Sequence, residues 1–595
     1  MRKMVRHGPI WLFASICALL GTDRALSQTA VWTGLAGDQN FSTPGNWQGG
    51  VVPPSTGADS AQFAQTPYNQ VNLGSTAANF SGLISQNYTD IYSYSGGSLT
   101  IGSGGITVGS GNVFQISVPI TLSASQTWAA GTGYINAYGS MISGTAGLTT
   151  TATSGYGGVD LSGTNTFSGG VIVASGYLDV GSSSAIGTGT LTLTNGTTLY
   201  GSYVTLPNAV TLGNNVTVQG YNYNTVQETS ATVGDYTYNT YLRSTPFTLS
   251  GVVTAPNIST TLQMGNSSTI VLSGSVLGAP SPVTLTITGS SPSLPLDGGS
   301  LLVVEGSLSN VTSIGISNAS LILAPVSAPT TAFPGVTSVT VGSAGTAYLG
   351  LDGSFTQAGA VSSFLSTYAP SPTAGLGYTI NGSLGFDTFS FTTSPNTFND
   401  PINLANFTSP NFQGLGSAST AVLGSAAVIT PPNNIYLFGG GGGTLIVQSP
   451  LTDLNVDAPR SLDMMSTQAP VTVILQSASN TYTGGTFSNG GALIFDSPPP
   501  TAAGNITLNG GYVGYTENSG IGVAQNFVTL FNSASSLNGI IGFDSANISS
   551  PRTVSDSIDL TAFNSGSSNI YLGTATAVKL LGTIMTGLTK LDHPG

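Results

Sequence analysis

Short runs that alternate apolar and polar residues recur along the chain. Ser98-Leu99-Thr100-Ile101, Gly105-Ile106-Thr107-Val108, Phe114-Gln115-Ile116 and Ile120-Thr121-Leu122 are clear cases. Glycine-rich corners such as Gly109-Ser110-Gly111-Asn112 separate them. A period of two marks a β-strand with one buried face. Glycine and asparagine supply the positive φ that tight corners require. The pattern predicts an all-β chain over residues 80–200. One stretch, 355–372, has roughly helical spacing, with Ala358, Val361, Phe364 and Leu365 in phase and Pro370 as a stop. It predicts a short helix inserted on the side of the β fold.

Two kinds of internal repeat give the strands an order. Ser162-Gly163-Thr164-Asn165-Thr166-Phe167-Ser168-Gly169-Gly170 has a near-copy in Ser479-Asn480-Thr481-Tyr482-Thr483-Gly484-Gly485, and similar text follows each. Asn165, Phe167, Gly169, Gly170, Asn480, Tyr482, Gly484 and Gly485 are expected to be structural residues of this repeat. A larger repeat begins at Gly385-Phe386-Asp387 and again at Gly542-Phe543-Asp544, 157 residues later. Asp400-Pro401-Ile402-Asn403-Leu404 follows the first mark, and Asp556-Ser557-Ile558-Asp559-Leu560 the second. The second copy is cut short at Gly595, so the sequence is expected to be an N-terminal piece of a longer protein.

Repeats of this kind indicate stacked rungs. A sandwich or barrel also has short strands. The even punctuation favours a parallel solenoid, as do the outward Thr, Ser and Asn that can stack into ladders. At about 20–25 residues per rung and ~4.8 Å between strands, roughly 25 rungs would form a rod on the order of 120 Å long.

Charge narrows the partners. Only 5% of residues are charged, against about 25% in ordinary domains. Arg2, Lys3 and Arg6, the apolar stretch Ile10 to Leu20 and Ala25-Leu26-Ser27 read as a secretory signal, residues 1–27. Its removal leaves five basic and 21 acidic residues, a net charge of −16, and no cysteine. Such a chain cannot neutralise a phosphate backbone, so nucleic acid is not an expected partner. No later stretch is long and apolar enough for a transmembrane helix.

Candidate chemistry is sparse. The two histidines are His7 and His593, at the extreme ends, so a histidine triad or a His-ligated zinc is not expected. The glycine run Gly439–Gly443 carries no lysine and reads as a turn. Acidic clusters remain: Asp453, Asp457, Arg460 and Asp463, and Asp544, Arg552, Asp556 and Asp559. Clustered acids serve polysaccharide hydrolases and lyases. Repetition of the Gly-Phe-Asp mark points instead to structure, with Phe386 and Phe543 in the core and Asp387 and Asp544 bonding backbone amides. No catalytic residue, metal or cofactor is assigned. Tyr221, Tyr223, Tyr236, Tyr238 and Tyr241, which alternate with Asn or Thr, are the candidate glycan contacts. Tyr88, Tyr92 and Tyr94 form a second set.

From 155 to 199 the chain resembles the autotransporter-associated β-strand repeat. Leu161, Gly163 to Gly170, Leu178 and Ile186-Gly187-Thr188-Gly189-Thr190-Leu191-Thr192-Leu193 carry the likeness. The copy at 477–515 keeps Asn480 to Gly485 and Leu493 but has Pro498-Pro499-Pro500 in place of the Leu-Gly-x-Gly stretch. The resemblance implies a right-handed parallel β-helix passenger, secreted or displayed on the outer membrane of a Gram-negative cell, and often adhesive. No translocator barrel is present in the sequence. The expected organisation is a signal peptide (1–27), an N-terminal cap carrying Trp32 and Trp47 (28–79), solenoid (80–350), an irregular insertion with the first Gly-Phe-Asp block (351–430), solenoid (431–530) and a truncated second block (531–595). The expected function is a non-enzymatic adhesive or structural surface protein, touching glycans or neighbouring cells. A β-helix polysaccharide lyase or hydrolase, and an inert stalk for a downstream module, are the alternatives.

Overall fold

The computed structural model describes residues 28–585, apart from 65–67, 154–156, 221–226, 234–235, 243–245, 266–267, 279–282, 290–299, 343–346, 369–381, 390–393, 408–411, 455–456, 468, 500–505, 517–519, 533–536, 546–551, 564–568, 576–577 and 581–583. The fold is a parallel β-solenoid. The chain forms two compact units. One holds the residues up to Val159 together with Asn165–Gly169, and the other holds Asp160–Thr164 and the chain from Gly170.

In the first unit the chain visits two parallel sheets alternately. The first sheet contains Thr29–Trp32, Ser60–Phe63, Ala77–Ser85, Ser98–Val108, Gln126–Ala129 and Leu148–Thr151. The second contains Tyr68–Asn72, Tyr88–Tyr92, Val113–Ile116 and Tyr134–Ala137. Ser60 pairs with Gly82, and Gly82 with Gly105, so one turn takes 22 or 23 residues. Each inward residue therefore sits on its counterpart one rung away. Phe80, Ile101 and Leu122 make one such column, and Val71, Ile91 and Ile116 another. All six are at most 2% exposed.

The strands start at Thr29, inside the stretch read from sequence as a cap. Trp32 and Trp47 are both buried and meet edge to face at 5.2 Å. The Trp47 indole donates to the Phe41 carbonyl at 2.8 Å. Phe41 joins this cluster to the rungs that follow, meeting Trp47 at 5.2 Å and Phe80 at 6.0 Å.

In the second unit a third face is added. The first sheet here runs from Val171–Val173 to Leu308–Ser309, and the second from Tyr177–Val180 to Ser338–Val341. The third sheet has 18 strands, from Thr205–Leu206 to Asn569–Gly573. Its central strands are buried on both parities. Ile270, Leu302, Leu321, Leu349 and Leu384 form one column, and Val271, Val303 and Ile322 the column of opposite parity. Polar side chains also stack rung to rung: Ser338 on Ser313 at 2.6 Å, Ser307 on Ser275 at 3.0 Å and Gln448 on Gln476 at 3.1 Å.

The stretch 351–430 is not wholly irregular. It gives Ser383–Phe386, Asn396–Phe398, Gly414–Gly416 and Thr420–Leu423 to the third sheet. The predicted helix is present but shorter. A 3-10 turn covers Gly353–Thr356, Gly359 adopts φ +81°, and the α-helix is Ala360–Tyr368. Pro329–Ala332 and Ala524–Val528 are further helices that sequence periodicity did not reveal, being too short to show a period. Among the described residues no helix is long and apolar enough to cross a membrane.

Gly105 shows how tightly the rungs are set. Its φ is +61°, and a Cβ there would lie 2.0 Å from the Thr127 carbonyl oxygen of the next rung. Gly105→Ala should therefore destabilise the chain by more than about 1 kcal/mol, whereas Ser103→Ala at the exposed side of the same strand stays within about 0.5 kcal/mol. Urea denaturation followed by circular dichroism checks both.

Candidate functional site

The residues singled out by the first repeat hold one rung to the next. Asn165 is buried, and its Oδ1 accepts from the Ile142 amide at 2.7 Å. Asn480 does the same for the Leu451 amide at 2.9 Å, and its Nδ2 donates to Ser477 O at 2.8 Å. Phe167 and Tyr482 are fully buried. The Tyr482 hydroxyl shares a hydrogen bond with Thr486 at 2.7 Å. The glycine pair divides two tasks. Gly169 and Gly484 allow close approach, since a Cβ would come 2.2 Å from Ala146 C and 2.7 Å from Arg460 O. Gly170 and Gly485 supply positive φ, +78° and +96°.

The Gly-Phe-Asp marks build a second device, present twice. Phe386 and Phe543 lie in the core, and Asp387 and Asp544 are fully buried. In the first copy Tyr348 donates its hydroxyl to Asp387 Oδ2 at 2.6 Å, and the Ala418 amide donates to Asp387 Oδ1 at 2.8 Å. In the second copy Tyr512 donates to Asp544 Oδ2 at 2.6 Å, and the Ala575 amide to Asp544 Oδ1 at 2.9 Å. Each alanine amide also reaches the tyrosine oxygen, at 3.0 and 3.1 Å. The tyrosine lies across glycines. A Cβ on Gly385 would be 1.7 Å from the Tyr348 hydroxyl, and one on Gly542 would be 1.9 Å from that of Tyr512. Sequence reading found the aspartates and missed the tyrosines. The signal was there: a Tyr-x-Gly, Tyr348-Leu349-Gly350 or Tyr512-Val513-Gly514, stands on the strand that pairs with each mark.

The aspartate after each mark is likewise structural. Asp400 accepts from the Gly359 and Val361 amides at 2.7 and 2.8 Å, at the start of helix Ala360–Tyr368. Asp556 accepts from Ala524 N at 2.8 Å, at the start of helix Ala524–Val528. Carboxylates there satisfy amides that have no partner within the helix.

In both acidic clusters the described side chains are engaged by neighbouring amides, hydroxyls and rings. Asp453 accepts from the amides of Arg460 and Thr483 at 2.6 and 3.1 Å. Burial pushes its carboxyl up, but these amides and the Thr483 hydroxyl hold it below the ordinary range. Arg460 donates to the Tyr436 hydroxyl and the Thr452 carbonyl. Asp463 is turned to Asn489 at 2.6 Å. In the second cluster Arg552 donates to the Tyr515 hydroxyl at 2.8 Å and stacks 4.5 Å from its ring centre. Asp559 accepts from Thr561. Among the described residues no group of three His, Cys, Asp or Glu is placed to hold a metal ion.

Burial raises several carboxyls above their ordinary range, Asp90, Asp160, Glu305 and Asp463 among them, and Asp352 and Asp179 further. Burial pushes Asp352 up to about 7, against the amides of Phe389 and Gly353 that accompany it. Burial, then the charge of Asp160, pushes Asp179 up to about 6.

Of the predicted glycan contacts, Tyr221 and Tyr223 lie outside the described residues. Tyr236, Tyr238 and Tyr241 are on strand Tyr236–Leu242, antiparallel to Gln227–Val233, with Tyr236 opposite Val233 and Tyr241 opposite Glu228. Their side chains are outside the described ones. The second tyrosine set fares differently. Tyr88 and Tyr92 stand on the outer side of the second sheet in the first unit, with Tyr94 in the bend that follows; register adds Tyr134, and Tyr138 lies in the turn after strand Tyr134–Ala137. Those two were missed because their place depends on pairing across rungs. No family model, curated protein or solved structure matches the chain.

Two measurements test these assignments. Tyr512→Phe removes the hydroxyl from a buried carboxylate and should cost about 1–3 kcal/mol, whereas Tyr571→Phe, at a 40% exposed position, should be close to neutral by thermal denaturation. Asp179 keeps its proton in the folded chain up to about pH 6, while the unfolded chain releases it near pH 4. Its contribution to stability is therefore full below about pH 4 and declines as pH rises to about 6. Asp179→Asn should flatten that decline in a series of melting temperatures from pH 4 to 7; an unchanged slope would show that Asp179 is not its source.

Proposed function

We propose that this chain is a non-enzymatic, secreted or cell-surface β-solenoid of structural or adhesive role, comparable to the passenger of an autotransporter. The supporting observation is the use of its acids. Asp387, Asp544, Asp400, Asp556 and Asp453 each accept backbone amides that hold loops, helices or neighbouring rungs in place. All but Asp556 accept from two or more donors, and a carboxylate so committed is a poor proton carrier and a poor metal ligand. The remaining polar side chains are largely uncharged, which suits broad weak contact with neutral surfaces. Residues 1–27 supply the export signal in this reading.

The test is direct. The purified full chain is coated on a surface and offered cells, and in parallel is incubated with acidic polysaccharides with and without Ca²⁺. Adherence without formation of new chain ends is the expected result. Calcium-dependent cleavage that disappears in Asp457→Ala, with the fold retained, would establish the lyase or hydrolase instead.

A further inference from the structure

One face of the first unit has the shape and chemistry of a binding surface. On the second sheet, outward positions are set in register over four rungs. Gln70, Asp90, Gln115 and Asn136 form the central column. Tyr88, Val113 and Tyr134 form the column on one side; Val113 pairs directly with Tyr134, and Tyr88 follows from the pairing of Thr89 with Phe114. Continuing the pairing of Ile91 with Ile116 by one residue sets Tyr92 beside Ser117, and the Ser117 amide bonds Ile91 O at 2.9 Å in agreement; Tyr138 stands on the same side, in the turn directly after strand Tyr134–Ala137 and two residues past the pairing of Asn136 with Gln115. The middle rung thus carries the smaller side chains Val113 and Ser117. Tyrosines flank it on both neighbouring rungs. The result is a shallow trough along the strand direction, its tyrosine walls two rungs or about 9–10 Å apart.

The walls are exposed but held. Tyr88, Tyr134 and Tyr138 are 38%, 43% and 67% exposed, and Tyr94 at the rim is 88% exposed. Tyr92 donates to Gln39 Oε1 at 2.9 Å, Gln39 donates in turn to Gln70 at 2.7 Å, and Tyr94 packs edge to face on Tyr92 at 5.3 Å. Ordered aromatic side chains lose little freedom on binding. Charge then selects the ligand. Residues 28–242 contain no lysine or arginine, and residues 28–159 contain only three acids, Asp38, Asp59 and Asp90. Anionic polymers find no counter-charge here.

We propose that this trough binds an extended neutral glycan. Tyrosine faces would receive the C–H faces of sugar rings; along the centre Gln115 Oε1 accepts from the Tyr88 hydroxyl at 3.4 Å and Asn136 Oδ1 from the Tyr138 amide at 2.8 Å, which leaves their side-chain N–H groups to donate to sugar hydroxyls. The proposal rests on the adhesive reading above and gives it a place and a ligand class. The test titrates the full chain calorimetrically with cellohexaose, chitohexaose and mannohexaose, with hexagalacturonate as the charged probe. At least one neutral hexasaccharide should bind, without dependence on salt, and hexagalacturonate should not. The double variant Tyr134→Ala, Tyr138→Ala should weaken binding at least tenfold with unchanged circular dichroism. Ser117→Trp, which fills the floor from an exposed position, should do the same. Binding within twofold of wild type in both variants, no binding of any neutral probe, preference for the charged probe, or self-association through this face in sedimentation would overturn the trough. Cell adherence measured on the same proteins separates the two readings: adherence that survives in both variants removes the trough alone, and no adherence by the wild-type chain removes the adhesive role.

Discussion

Everything in this fold depends on parallel backbone pairing between successive turns of one chain. A parallel rung has its hydrogen-bond partners above and below, so each turn must repeat the path of the last with little error. That demand explains the composition. Glycines stand where a Cβ would meet the carbonyl of the next rung, as at Gly105. Uncharged Ser, Thr, Asn and Gln stack on their like, where stacked charges would repel. Where acids come close, as Asp160 and Asp179 do, burial and then the neighbouring charge keep a proton on Asp179 to about pH 6.

The larger repeat shows how a solenoid manages a face that is buried on both sides. On the third sheet an apolar column, Val271, Val303 and Ile322, runs into Gly350, Gly385 and Gly416. The same succession recurs as Val422, Ile446, Ile474 and Ile494 running into Gly514, Gly542 and Gly573. In both places a tyrosine from the first glycine strand folds over the second glycine and bonds an aspartate. In both copies the buried carboxylate accepts from the tyrosine hydroxyl and the alanine amide, and Asp387 also from the hydroxyls of Ser417 and Ser419, which fixes the loop that carries the alanine. Geometry repeated in this detail, on two stretches of dissimilar side chains elsewhere, is a structural unit.

Much of this was legible in sequence. Alternation and glycine corners identified parallel rungs because a single buried face leaves a strong period of two. The Gly-Phe-Asp aspartates were readable as amide acceptors because they repeated without any shared chemistry around them. Tyr348 and Tyr512 escaped because each acts on a residue 39 or 32 positions away, a distance set by rung length. Three of the strands within 351–430, Ser383–Phe386, Gly414–Gly416 and Thr420–Leu423, escaped for a related reason: strands buried on both faces lack alternation. Tyr134 and Tyr138 are ordinary in sequence and become neighbours of Tyr88 and Tyr92 only through register. The expectation for Tyr221 to Tyr241 falls on side chains outside the described ones.

An adhesive solenoid and a bare stalk share this architecture, and the flank of the first unit is what distinguishes them. Both readings rest on the claim that the polar residues shared by the two repeat copies act between rungs. Hydrogen–deuterium exchange of Asn480→Ala tests that claim most directly. The account predicts faster exchange at the Leu451 amide, one rung away and 29 residues earlier in the chain, with distant rungs unchanged. Unchanged protection at Leu451 would contradict it.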